Sequence, residues 1–340
     1  MKLRYKSFLQ TVALVLIGGG SLISSSEALT IIINREASFT NDTAYDAFVR
    51  AANVWEGAFT DDITVNIAAD FSSLTPGVLG STSSLSATAA YDVIVDRLKS
   101  DADADDTIHA FLPNYAQFTA ATSASDSLSS DIRVNKANLK AIGFSGVDTF
   151  FGTTNDGNIA FNSDFTFDFD KTDGISSGAF DFESIALHEI GHLLGFTSVV
   201  DSFDQFAGEQ SAMVFDIFRL GSNDPSLTGS AFTTAERQLT PGEVSYFSDG
   251  SSQILLSTGV AEGDGRQASH FKDNQGLGIL DPTLAPGEIG VLRENDLVVL
   301  DAIGYDRVKA AVAAVPEPSS SVFIGLVSWM WLARRRRQAS

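Results

Sequence analysis

Apolar residues recur at different periods along the chain, and the changes of period mark out its elements. "LTIIIN" (29–34) is a β-rich run, and "ITVNIAADF" (63–71) reads as a second strand. Between them, "NDTAYDAFVRAANVWEGAF" (41–59) places Tyr45, Phe48, Ala52 and Trp55 on one helical stripe, with Asn41 or Asp42 as its cap. Residues 72–90 are rich in Ser, Thr and Gly and read as a long loop leading into a helix, "YDVIVDRLKS" (91–100). "GNIAFNSDFTFDF" (157–169) reads as a strand whose later part alternates Phe165, Phe167 and Phe169 with polar residues. "DFESIALHEIGHLLGF" (181–196) reads as a helix started by Asp181 or Ser177 and ended by Gly195. A last helix is expected in "RENDLVVLDAIGYD" (293–306), closed by Gly304. Strand–helix–strand units followed by a helix-poor second half predict an α+β fold with a cleft between two lobes.

Both ends carry targeting patterns. Residues 1–28 read as a secretory signal: Lys2, Arg4 and Lys6, then "FLQTVALVLIG" (8–18), then the small residues of "SEA" (26–28). The alternative is an uncleaved anchor, for which the apolar run is short. At the other end, "VPEPSSSVFIGLVSWMWLARRRRQAS" (315–340) sets a Pro-Glu-Pro turn before an apolar stretch and Arg334–Arg337. That apolar stretch is short for a stable span, and its basic cluster would stay cytoplasmic. The tail, over residues 313–340, resembles the PEP-CTERM sorting signals of Gram-negative bacteria. The resemblance implies transient membrane anchoring, recognition by an exosortase-type membrane protease, and delivery to the cell surface or extracellular matrix. An ordinary C-terminal anchor is the alternative.

Charge and cysteine narrow the classes. Without the basic and acidic residues of the two targeting segments, 15 basic and 41 acidic side chains remain, a formal charge of −26. Such a surface repels phosphate backbones and argues against nucleic-acid binding. "DADADD" (101–106) reads as a solvated loop. It lacks the glycine and final glutamate of an EF-hand, and calcium is left open as a second cofactor. With no cysteine, disulfides and thiolate–metal sites are excluded, so the fold rests on its core.

The chemistry lies in "ALHEIGHLLGFTS" (186–198). Residues four apart share a helix face, so His188 and His192 can present ring nitrogens to one ion, with Glu189 offset to act as general base. Apolar flanks bury this helix, and its charged residues then need partners. The alternative is a pair of buried histidines satisfied by ordinary hydrogen bonds. Catalytic zinc takes three protein ligands and leaves one position for water. The pattern H-E-x-x-H-x-x-G resembles the metzincin clan of zinc peptidases through Gly195, but Ser198 stands where the clan's usual spacing places a third histidine. A neutral hydroxyl is a poor zinc ligand. The remaining histidines are His109, read as structural, and His270. Glu209 is a competing third ligand and Asp201 a weaker one.

The combination of "HEIGHLLGF", "SHFKD" and "GILDPT" is similar to leishmanolysin-like metzincins, bacterial PEP-CTERM-tailed zinc metalloproteases among them. That resemblance implies a two-lobed catalytic domain over 29–312, comprising an N-terminal twisted mixed sheet, an active-site helix (181–195), and an irregular C-terminal lobe. It implies a third-ligand loop and turn (266–288) with His270 as ligand, Leu280 at the methionine position of the turn, and a terminal helix (293–303). It also implies a secreted endopeptidase acting on protein or peptide substrates. Substrate would pair along an edge strand, for which "GNIAFN" (157–162) is the candidate. Tyr246 and Tyr305 are candidate oxyanion donors by chemistry but read as packing residues. A surface or matrix protein with a structural or vestigial zinc site is the alternative from another class. Oligomeric state is not legible in the chain.

Overall fold

In the computed structural model, residues 28–104, 106–221 and 227–308 are described; the stretch read as a secretory signal (but for Ala28) and the one read as a sorting tail lie outside them. The first strand, β1 (Thr30–Arg35), lies parallel to β2 (Thr64–Ser72), and β2 lies parallel to the strand Gly157–Asn162. A fourth strand, β3 (Gly80–Ser84), closes the row antiparallel to 157–162. The 72–90 stretch is not a long loop, because it contains β3 and a second strand, Ser86–Ala90, paired with Asp131–Asn135. Small Ser, Thr and Ala side chains hide a strand from hydrophobic periodicity, and its stability comes from ladder hydrogen bonds and neighbours. Strand 157–162 is not an edge strand, since β2 and β3 flank it on both sides; the edges of this sheet are β1 and, next to 157–162, β3.

Helix α1 (Asp42–Glu56) is capped by Asn41, whose side chain accepts from the amides of Thr43 and Ala44. Its buried face comprises Ala44, Ala47, Phe48, Ala51, Ala52 and Trp55, while Tyr45 stays partly exposed beneath the Arg35 guanidinium. Small residues at four of these six positions let α1 approach the histidine helix, Phe182–Leu194. There the Trp55 indole donates 3.0 Å to the carbonyl of Leu187, satisfying a buried donor that would otherwise cost about 1–3 kcal/mol. A ring cluster ties sheet to helices, with Phe161 5.1 Å from Phe48 and 4.4 Å from Phe182 between centroids.

The second half is irregular. Among the described residues, short strands at 219–220, 237–238, 246–248 and 253–255 form one sheet with 120–121 from the first half, and the last helix described is Glu294–Ala302. The described residues comprise eight α-helices and open sheets, a mixed α+β architecture, and those up to Arg307 belong to one compact unit. Among the described residues no helix is long and apolar enough to cross a membrane.

Candidate metal centre

The histidine helix begins where Asp181 accepts from the amide of Ser184, and it ends at Gly195, whose φ is +135°. Four residues of spacing stack His188 and His192 on one face, with 4.7 Å between ring centroids. The third ring comes from the far loop. His270 Nε2 lies 3.0 Å from His188 Nε2 and 3.1 Å from His192 Nε2, and the two helical Nε2 atoms are themselves 3.0 Å apart. Among the described residues these three histidines are the one group of histidine or carboxylate side chains whose ligand atoms lie close enough together to hold an ion.

The outer nitrogens decide what the triangle can be. His188 Nδ1 faces the Ile279 carbonyl at 2.8 Å, His192 Nδ1 faces that of Phe196 at 2.8 Å, and His270 Nδ1 faces that of Gln267 at 3.2 Å. A carbonyl oxygen only accepts, so each Nδ1 carries its ring's proton and each Nε2 turns a lone pair inward. Extra protons are disfavoured. Burial pushes His188 and His192 down to about 4, with the charge of His192 adding to the effect on His188, and it pushes His270 well below the usual range. Three lone pairs meeting at this distance repel unless a cation stands among them. Nitrogens about 2.0–2.1 Å from one tetrahedral zinc are separated by about 3.3–3.4 Å, close to the spacing here. The donor set fits zinc: three neutral imidazoles in one tautomer, each oriented by a backbone carbonyl.

Glu189 is buried on the same helix. Its Oε2 accepts from the Thr82 hydroxyl at 2.7 Å, and burial raises its pKa, an effect that the charge of His188 and the Thr82 hydrogen bond partly offset. Thr82 belongs to β3, which runs against this helix so closely that a side chain at Gly80 would meet Glu189 Oε1 at 2.7 Å.

Glu209 does not join the cluster. It is exposed on a two-residue strand paired with Ser127–Leu128. Asp201 instead accepts from the amides of Ala268 and Ser269. His109 is buried, with Nε2 3.0 Å from the Ala302 carbonyl, and Tyr305 donates to the Leu194 carbonyl at 2.7 Å; both are packing residues here. Leu280 packs on the helix at Gly191, where an added Cβ would meet Leu280 Cδ2 at 2.9 Å.

Sequence reasoning missed several groups. Thr82 and Gly80 were hidden in a stretch read as loop. Asp296 accepts from the amides of Ile279 and Leu280, holding the turn whose Ile279 carbonyl orients His188. The Asn135 amide donates to the His192 carbonyl at 3.2 Å. None of these has a local signature, because each acts from a distant part of the chain. No family model matches the chain, and neither does any curated protein or solved structure.

Proposed function

We propose that this chain is an exported zinc-dependent endopeptidase of the metzincin clan, leishmanolysin-like, with His188, His192 and His270 as metal ligands and Glu189 as general base. The observation that carries the reading is the convergence of three deprotonated Nε2 atoms beside a buried carboxylate one residue from the first ligand. Zinc held by the three imidazoles supplies Lewis acidity toward a scissile carbonyl and toward water. Glu189 takes the proton from the attacking water as the carbon–oxygen bond forms, then returns it to the amine as the carbon–nitrogen bond breaks. Burial makes its carboxylate a stronger base than an exposed glutamate, and Thr82 restrains one oxygen so that the other is left to take the proton.

Substrate would add as a strand on the free edge of β3, pairing by backbone hydrogen bonds as an extended peptide. The same strand carries Thr82, so docking of the peptide and orientation of the base act through one element. The two-lobed metzincin architecture, the catalytic domain over 29–312, the signal over 1–28 and the exosortase-recognised tail over 313–340 belong to this proposal on sequence grounds. So does delivery to the surface or matrix.

Glu189→Gln tests it. The variant is expected to bind one zinc per chain while casein or gelatin cleavage falls by about 10²–10⁴-fold, the usual contribution of a general base. Undiminished cleavage would refute the assigned base. Zinc binding without chelator-sensitive cleavage in the wild type would favour a structural site.

A further inference from the structure

The turn after the histidine helix stands where a metzincin of usual spacing would supply its own third ligand, and in this chain it grips a distant loop. The backbone amide of Ser198 donates to Ser269 Oγ at 2.8 Å. The Ser269 hydroxyl donates in turn to Asp201 Oδ2. Asp201 also receives the amides of Ala268, at 2.5 Å on Oδ1, and Ser269, at 3.1 Å on Oδ2. One carboxylate thereby holds the two residues immediately before His270.

Both sides of this grip are themselves anchored. Asp216, fully buried, receives the Ser198 hydroxyl at 2.6 Å and the amides of Val199 and Met213 at 2.9 and 2.8 Å. Arg219, also buried, donates to the carbonyls of Ala268 and Ser257 at 3.0 and 2.7 Å, and the Ser257 amide donates to the His270 carbonyl at 3.0 Å. His270's own ring has a single outer restraint, the Gln267 carbonyl at 3.2 Å. The position of that ring is therefore set by its backbone, which Asp201 holds at the two preceding residues while Arg219 and Ser257 hold the carbonyls of Ala268 and His270.

We propose that Asp201 is the positioning residue for His270, holding a loop 78 residues beyond His192 in register with the helical pair. The inference rests on the zinc reading and deepens it: the residue weighed as a ligand acts one step behind the ligand. Groups that orient metal ligands typically contribute about 10–100-fold to metal affinity. In Asp201→Asn an amide NH2 must face one of the backbone donors that the carboxylate now accepts, so the loop loses register.

The experiment is zinc affinity, measured on the full chain by competition with a chromophoric chelator, beside the melting temperature of the metal-free protein. Wild type is expected to bind one zinc, Asp201→Asn to bind it about 10–100-fold more weakly, and Ser269→Ala, which removes only the bridging hydroxyl, to fall between them. Equal zinc affinity in the wild type and both variants, with only the metal-free melting temperature lowered, would overturn the inference and leave the metal site standing. Absence of zinc uptake by the wild type would overturn both. Should Asp201→Asn fail to fold, Ser269→Ala decides: unchanged affinity overturns the inference, weakened affinity supports it.

Discussion

Gly80→Ala puts the contact between β3 and the base under direct test. An added Cβ would stand 2.7 Å from Glu189 Oε1, 2.9 Å from its Cγ and 2.9 Å from Ile185 Cγ2. Ordinary contact begins near 3.4 Å, so about 0.7 Å must open on the carboxylate oxygen and about 0.5 Å on the two carbons. Ile185 is buried in the core and β3 is held by its ladder with 157–162, so most of the displacement falls on the Glu189 side chain. Misplacement of a reacting group by about 1 Å can cost about 10²-fold, and the expected loss in kcat/KM is therefore about 10–100-fold. Overpacking is expected to cost about 1–3 kcal/mol of stability. The three imidazoles lie outside the perturbed contact, so zinc stoichiometry should stay at one. Peptide-cleavage kinetics, metal analysis and thermal melting together check it, with Ser81→Ala, an exposed neighbour on the same strand, as control. A folded Gly80→Ala protein that cleaves within about twofold of wild type would refute the placement of the base against β3.

His270→Ala should abolish stoichiometric zinc binding while Glu209→Ala leaves it intact; loss in the second variant alone would reverse the ligand assignment. Asp61 offers a pH test away from the site. Burial raises it to about 7, the Asp306 amide lowers it and the Asp306 charge raises it, while in the unfolded chain it titrates near 3.8. The folded chain therefore keeps a proton that the unfolded chain releases, and this contribution is full below about 3.8 and lost as pH rises through about 7. Asp61→Asn removes that loss, so its melting temperature should gain on wild type from pH 4 to pH 8. A difference independent of pH would refute the assignment.

How much was readable depended on how far apart the cooperating residues lie. The histidine helix was legible from end to end, because capping, apolar periodicity and the i, i+4 pairing are all properties of a dozen consecutive residues. The α1 stripe was legible for the same reason, apart from Tyr45, whose ring lies under Arg35 at the rim of the core. β3 was not. Its sequence, Gly80-Ser-Thr-Ser-Ser84, has no apolar alternation, and it is a strand because 157–162 and the histidine helix supply its partners. Misreading it also misplaced the sheet edge by one strand.

The chain by itself determined two imidazoles on one helix face and an acid between them in sequence, since a helix places residues four apart on one face whatever surrounds it. Which group completes the triangle could be narrowed by counting histidines but was decided only in three dimensions. Bringing His270 back across 78 residues depends on Asp201, Asp216, Arg219 and Asp296 accepting or donating at the right places. Those bonds are non-local: each joins segments whose separation in sequence has no fixed relation to their separation in space, so no spacing rule could have written them down.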